Sequence, residues 1–161
     1  MLTKNVARVY LIVVDGVVKK IGGSQAQGGI KKTLEIYRDG GVNGRPSIRS
    51  FGIWYFLYHS IFAGKNIEFY MIYQDNFKAS IKGLLGMHEV PEASLSYKFL
   101  EEACLRDYLS VMGTYPEWNV QEQRKDWPQE TKESHANLLQ NAQSREKKVL
   151  RGVVKKPGED L

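Results

Sequence analysis

The sequence predicts an α+β domain, and three observations carry that prediction. A β-branched and aromatic run, Val9 to Val14, is followed by Asp15-Gly16 and a second such run, Val17 to Ile21. Asp-Gly between two strand-like runs is the strongest short-range hairpin signal, because both central turn residues need positive φ. Aromatic and apolar residues crowd and alternate from Ile67 to Tyr73, which reads as a third strand. Between and beyond these strands, apolar residues recur at helical spacing.

In chain order, Gly22-Gly23 ends the hairpin and Ser24 to Gly29 reads as a small-residue loop. A helix follows from Ile30 to Arg38, with Ile30, Leu34 and Tyr37 inward and Lys31, Lys32 and Glu35 outward. Asp39 to Gly44 breaks it. Ser47 or Ser50 caps a second helix that runs to Ala63 and stops at Gly64. Phe51, Trp54, Tyr55, Leu57, Tyr58, Ile61 and Phe62 leave that helix little polar face, so it is expected to be largely buried, with His59 as a core histidine. The stretch 78–92, with Gly83 and Gly86, reads as irregular.

Ser94 or Ser96 caps a third helix from Tyr97 to about Met112, with Phe99, Leu100, Ala103, Leu105, Tyr108 and Leu109 inward. Gly113 ends it, and Tyr115 to Asn119 forms an aromatic turn with Trp118 in the core. After Pro128 the composition turns polar. An amphipathic helix on Ala136, Leu138, Leu139 and Ala142 is expected, then a fraying basic tail. The chain therefore divides into a domain at 1–127 and an appended segment at 128–161.

Length and composition set the class. The 161 residues are 42% hydrophobic and 11% aromatic, enough for one real core and too apolar for wholesale disorder. No apolar run approaches the roughly 20 residues of a membrane span, and no signal-peptide pattern opens the sequence. The single cysteine, Cys104, excludes an internal disulfide and a multi-thiolate zinc site, and suits a reducing, cytoplasmic setting. The net charge is +5, unevenly spread. Residues 1–50 carry nine Lys/Arg against three acids, or +6; the middle to residue 128 carries seven against ten, or −3. Basic ends fit a nucleic-acid partner.

The motifs then resemble a family. Val9-Tyr10-Leu11 with Lys20-Ile21-Gly22 ten residues on resembles the paired motif of the GIY-YIG endonucleases, phage and restriction-type members included. The resemblance continues through Ile67-Glu68-Phe69-Tyr70, through Leu100-Glu101-Glu102-Ala103-Cys104-Leu105, and through Pro116-Glu117-Trp118-Asn119, spanning Ala7 to Asn119. It implies a small three-stranded antiparallel sheet flanked by helices. It also implies hydrolysis of a double-stranded DNA phosphodiester with one divalent cation, Mg²⁺ or Mn²⁺. The aromatic second helix and the tail helix suggest oligomerisation, and double-strand cleavage by a single-site enzyme calls for two copies, so a homodimer or higher oligomer is expected.

Phosphodiester hydrolysis needs a group that takes a proton from water, a cation that offsets charge on the phosphate, and a hard metal at the leaving oxygen. The resemblance assigns the metal to Glu102, which fits the Glu-Ala-x-Leu pattern, with Glu101 the neighbouring alternative. It assigns orientation or deprotonation of the water to Tyr10. Lys20 stands where most members carry a second tyrosine, as in a subset of restriction enzymes. An ammonium there is expected to lower the Tyr10 pKa. Tyr37 matches a first-helix position, but Thr33 occupies the place of the family arginine. Arg49, Arg38 or Lys32, in that order, would then supply the cation, and an insertion before the arginine would favour Arg45 or Arg49. Lys31, Lys32 and Arg45 are expected to meet DNA phosphates, and Asn119 to bond backbone near the site. A DNA-binding module without catalysis and a small protein that binds an acidic partner are the alternatives.

Overall fold

The computed structural model describes residues 3–25, 27–40 and 45–153, with side chains described as far as Arg145. Strands β1 (Ala7–Val14) and β2 (Val17–Ser24) form the expected hairpin, and Asp15 and Gly16 both take positive φ, 49° and 77°. Strand β3 (Ile67–Gln74) pairs antiparallel with the other side of β1, so the sheet runs β2-β1-β3. As the central strand, β1 is buried on both faces, with Val9 and Ile12 fully inaccessible.

One irregularity decides which residues face the site. Ile12 stands opposite Lys20, but Val13 stands opposite Val18, so Lys19 is an extra residue in β2. A bulge of one residue switches every following side chain to the other face. Lys20 and Gly22 thereby join Tyr10 and Ile12 on one face, while Ile21 and Gly23 join Val9 on the other.

Helices α1 (Ile30–Asp39) and α2 (Ile48–Phe62) cover the first face. There Tyr10, Ile12 and Val14 pack with Ile30, Ile53, Leu57 and Trp118, so Trp118 is core as expected. Helix α3 (Tyr97–Met112) covers the second face, where Leu105 packs with Val9 and Ile21. The caps follow the sequence: Ser47 Oγ accepts from Ser50 N, Ser96 Oγ accepts from Lys98 N, and Gly113 closes α3 in the left-handed region. Helix α4 (Gln129–Val153) forms where the apolar stripe of Ala136, Leu138, Leu139 and Ala142 predicts. Its first turns pack on the body through buried Thr131 and through His135, whose Nε2 lies 2.8 Å from the Pro46 carbonyl oxygen. The expected fraying of 154–161 falls outside the described residues.

Four expectations are corrected. Residues 78–92 are not irregular: β4 (Phe77–Lys82) and β5 (Met87–Ala93) form a separate hairpin whose turn is closed by Gly83 N donating to Gly86 O at 2.7 Å. The glycines bracket a tight turn rather than break an element, and its tip, Leu84 and Leu85, is almost wholly exposed. Helix α2 is buried only along Phe51, Gly52, Ile53 and Leu57, whereas Tyr58, Ile61 and Phe62 face solvent. A three-stranded sheet is too narrow to cover an aromatic helix all round. His59 lies on that open side against the Tyr55 ring, 4.3 Å between centroids, and Phe99 of α3 is likewise exposed rather than inward. No helix among the described residues is long and apolar enough to cross a membrane.

Candidate active site

The site forms where the two glycines at the end of β2 let other side chains approach. Tyr10 lies across the strand opposite Gly22, and a Cβ on Gly22 would sit 2.5 Å from the phenol Cζ. On the opposite face a Cβ on Gly23 would sit 2.5 Å from the Tyr97 ring and 2.9 Å from Glu101 Oε2. One glycine therefore admits Tyr10 and the next admits α3. Gly22→Ala is expected to cost about 2 kcal/mol through overpacking, read as a lower melting temperature.

Tyr10 is buried, and its Oη lies 2.5 Å from the Oη of Tyr37 on α1, the rings meeting edge-on. Burial, the neighbouring Tyr37 phenol and the Glu101 charge push the Tyr10 pKa well above its ordinary value, and only Arg49 opposes them. The expected lowering by Lys20 is corrected: desolvation outweighs any nearby cation. Burial raises Tyr37 as well.

Lys20 is 3% exposed, and burial, reinforced by Arg49, lowers its pKa to about 8, with Glu122 and Glu101 pulling the other way. An amine that is partly neutral near pH 8 can accept a proton, which the Tyr10 phenol in this setting does far less readily.

Arg49 enters from the first turn of α2. Its Nη2 lies 3.9 Å from Glu101 Oε1 and 3.9 Å from Glu122 Oε1, so two carboxylates hold one guanidinium. Glu101 is mostly buried, and its Oε1 is fully buried without a hydrogen-bond partner. A desolvated carboxylate oxygen with a distant ion pair and no hydrogen bond is costly, and a ligand that replaces its lost hydration relieves the cost. A cleft of about 490 Å³ opens beside it, lined by Lys98, Glu101, Glu102, Arg106, Tyr115 and Glu122.

The structure thus brings together Tyr10, Lys20, Tyr37 and Arg49 of the sequence-predicted set, with Glu101 as the inward carboxylate. Glu102, the motif's choice, stands at the outer wall of the cleft, 65% exposed and paired with Arg106 four residues on at 3.8 Å. Helical phase separates the two: Glu101 shares a stripe with buried Leu105, whereas Glu102 shares one with exposed Arg106. Arg38 is not part of the cluster, because its guanidinium is exposed and bonded to Asp39. Lys31, Lys32 and Arg45 are exposed on the surface. Glu122 was not foreseen, and no signal in its surroundings distinguishes it.

Asn119 does bond backbone as expected, and at the strand that carries Lys20. Its Oδ1 accepts from Ile21 N at 2.9 Å and its Nδ2 donates to Ile21 O at 2.8 Å, while Trp118 N donates to Lys19 O at 2.8 Å. The 116–119 turn thereby satisfies the outer edge of β2 where the bulge redirects it. Asn119→Ala would leave both buried Ile21 groups unpaired, and a loss of about 3 kcal/mol by denaturant titration is expected.

Among the described residues no group of three or more His, Cys, Asp or Glu is arranged to hold a metal ion. A metal here would rest on one protein carboxylate, with the remaining oxygens from substrate and water.

No protein-family model matches the chain, and no curated protein matches it. Among solved structures, a mutant of bacteriophage T4 EndoII aligns over 70% of this chain and 71% of its own, at 19% identity and a TM-score of 0.43. The restriction endonuclease HPY188I in complex with product DNA aligns over 71% of this chain and 64% of its own, at 21% identity and a TM-score of 0.33. At these identities and scores neither match fixes an activity for this chain.

Proposed function

We propose that this protein is a DNA endonuclease of the GIY-YIG type that hydrolyses phosphodiester bonds with Mg²⁺ or Mn²⁺. The observation that carries the reading is the buried Glu101 carboxylate oxygen, which has the Arg49 charge near it but no hydrogen bond, gathered with Arg49, Lys20 and the Tyr10–Tyr37 pair. A desolvated carboxylate without a hydrogen bond fits a hard cation that completes its shell with phosphate and water oxygens. Bound at Glu101, such a cation would stabilise charge on the leaving oxygen.

The remaining work falls to side chains. Arg49, already held between two carboxylates, offsets the charge that grows on the phosphate. Lys20, neutral in an increasing fraction of molecules as pH passes about 8, takes the proton from the attacking water. Tyr10 and Tyr37 stay protonated. Two phenols that share one hydrogen bond leave one hydroxyl proton free to orient water or a phosphate oxygen. Arg49 supplies the cation that Thr33 cannot, which favours a working enzyme over a binding module. Exposed Lys31, Lys32 and Arg45 lie in the +6 segment of residues 1–50 and would contact phosphates of the flanking duplex.

The test is digestion of supercoiled plasmid with Mg²⁺, with Mn²⁺ and with chelator. Cutting that requires the cation and disappears in Glu101→Gln is expected. Salt-sensitive binding of duplex without any cutting would leave only the DNA-binding reading standing.

A further inference from the structure

The two outer edges of the three-stranded sheet are treated differently. The 116–119 turn seals β2, bonding Lys19 and Ile21 from Trp118 and Asn119. Strand β3 is the other outer strand, and among the described residues no strand pairs with its far side. It is eight residues long and apolar, and Glu68 is its only charge. Natural edges of this length are usually blocked by lysine, proline or a bulge, and β3 has none of these. Tyr70 and Ile72 are about half exposed on it. Tyr58 and Ile61 of α2 stand over the same strand, across a cavity of about 570 Å³ that Ile67 and Phe69 also line.

We infer that β3 is the strand through which two copies of this chain join, edge to edge and antiparallel, to make one continuous six-stranded sheet. A two-fold axis normal to the sheet keeps the helix-bearing faces on one side, so facing residues have the same parity in sequence. Centred on Tyr70, the pairing sets Phe69 against Met71 and Glu68 against Ile72, so the single acid of the strand never meets its copy. The same register sets Lys65 of one copy against Asp75 of the other, an opposite-charge pair at each end of the ribbon. Asp75 already pairs with Lys4, yet its side chain is 72% exposed and open to a second cation. An edge whose only charge is a glutamate suits a second copy of itself better than a phosphate backbone. The joined apolar faces of α2 would then cover each other.

The test is the mass of the full chain in solution, which does not depend on whether the protein cuts DNA. Sedimentation is expected to give twice 18.4 kDa for the unaltered chain. Tyr70→Lys and Ile72→Lys, with unchanged circular dichroism, are expected to weaken the dimer at least about 100-fold. Tyr70→Cys is expected to form a disulfide-linked dimer on mild oxidation, which the unaltered chain with Cys104 does not. A monomeric unaltered chain at about 100 µM would overturn the inference. So would a dimer that both lysine variants leave intact, or one that only Leu84→Asp at the β4–β5 tip disrupts.

Discussion

Glu101→Gln is expected to lower the rate of Mg²⁺-dependent plasmid cleavage by at least about 10³-fold, while Glu102→Gln stays within about tenfold of the unaltered protein. The two residues are adjacent and of one type, so composition and local propensity cancel and only position differs. Glu101 is largely buried, with one oxygen near Arg49 but without a hydrogen bond, whereas Glu102 is mostly exposed and ion-paired with Arg106. Glutamine keeps the shape but removes the charge that a hard cation needs. Folding should survive, since Arg49 keeps Glu122 and a neutral amide in a desolvated place costs less than a carboxylate there. The variant should therefore melt no lower than the parent, and a lost rate with an intact melting curve separates chemistry from collapse. Activity lost in Glu102→Gln and retained in Glu101→Gln would return the metal to the residue the motif names.

How far the sequence could be read depends on whether the deciding interaction is local. The Asp15-Gly16 turn, the Ser47 and Ser96 caps and the Gly113 stop are properties of a few adjacent residues, and each forms as its chemistry requires. Asn119 was legible as a backbone-bonding residue, although its partner Ile21 lies 98 positions away. The carboxylate was half legible. Motif matching favours Glu102, but the four-residue step to Leu105 favours Glu101, and burial sides with the step.

Three features lay beyond sequence patterning. The extra residue Lys19 in β2, which turns Lys20 inward, leaves no trace in an unbroken Val-Val-Lys-Lys-Ile run. The exposed side of α2 reflects the width of the sheet beneath it, which no single helix encodes. Glu122 meets Arg49 only because a turn after the core tryptophan returns the chain to the mouth of the site. Each is set by tertiary geometry rather than by local preference.

The largest expected gain in stability comes from Lys20→Met. In the folded chain burial brings the Lys20 pKa from 10.5 to about 8, so keeping the ammonium inside costs roughly 3 kcal/mol relative to the unfolded chain. Below pH 8 the lysine is protonated in both states and that cost is fully present. Between 8 and 10.5 the unfolded chain holds a proton that the folded chain has released, so stability rises with pH across this window. Above it both states are neutral and the cost is gone. Methionine fills nearly the same volume without a charge, so at pH 7 the variant should gain about 2 kcal/mol or more, several degrees in melting temperature for a chain of this size. Its advantage should shrink as pH climbs past 8, a pattern that improved packing alone would not produce. The same substitution removes the proposed proton acceptor. Cleavage by the parent should rise through pH 8, and Lys20→Met should lose that rise together with at least about 100-fold of the rate. Under the proposed function, the interior ammonium that methionine could replace is kept for chemistry at the cost of stability. Calorimetry and plasmid digestion across pH 6 to 10, run on both proteins, should show Lys20→Met gaining stability and losing activity relative to the parent at pH 7, with the stability gain shrinking above pH 8. Equal stability of the two proteins at pH 7 would mean that the buried lysine carries no strain, and the reading of Lys20 as a poised base would fail with it.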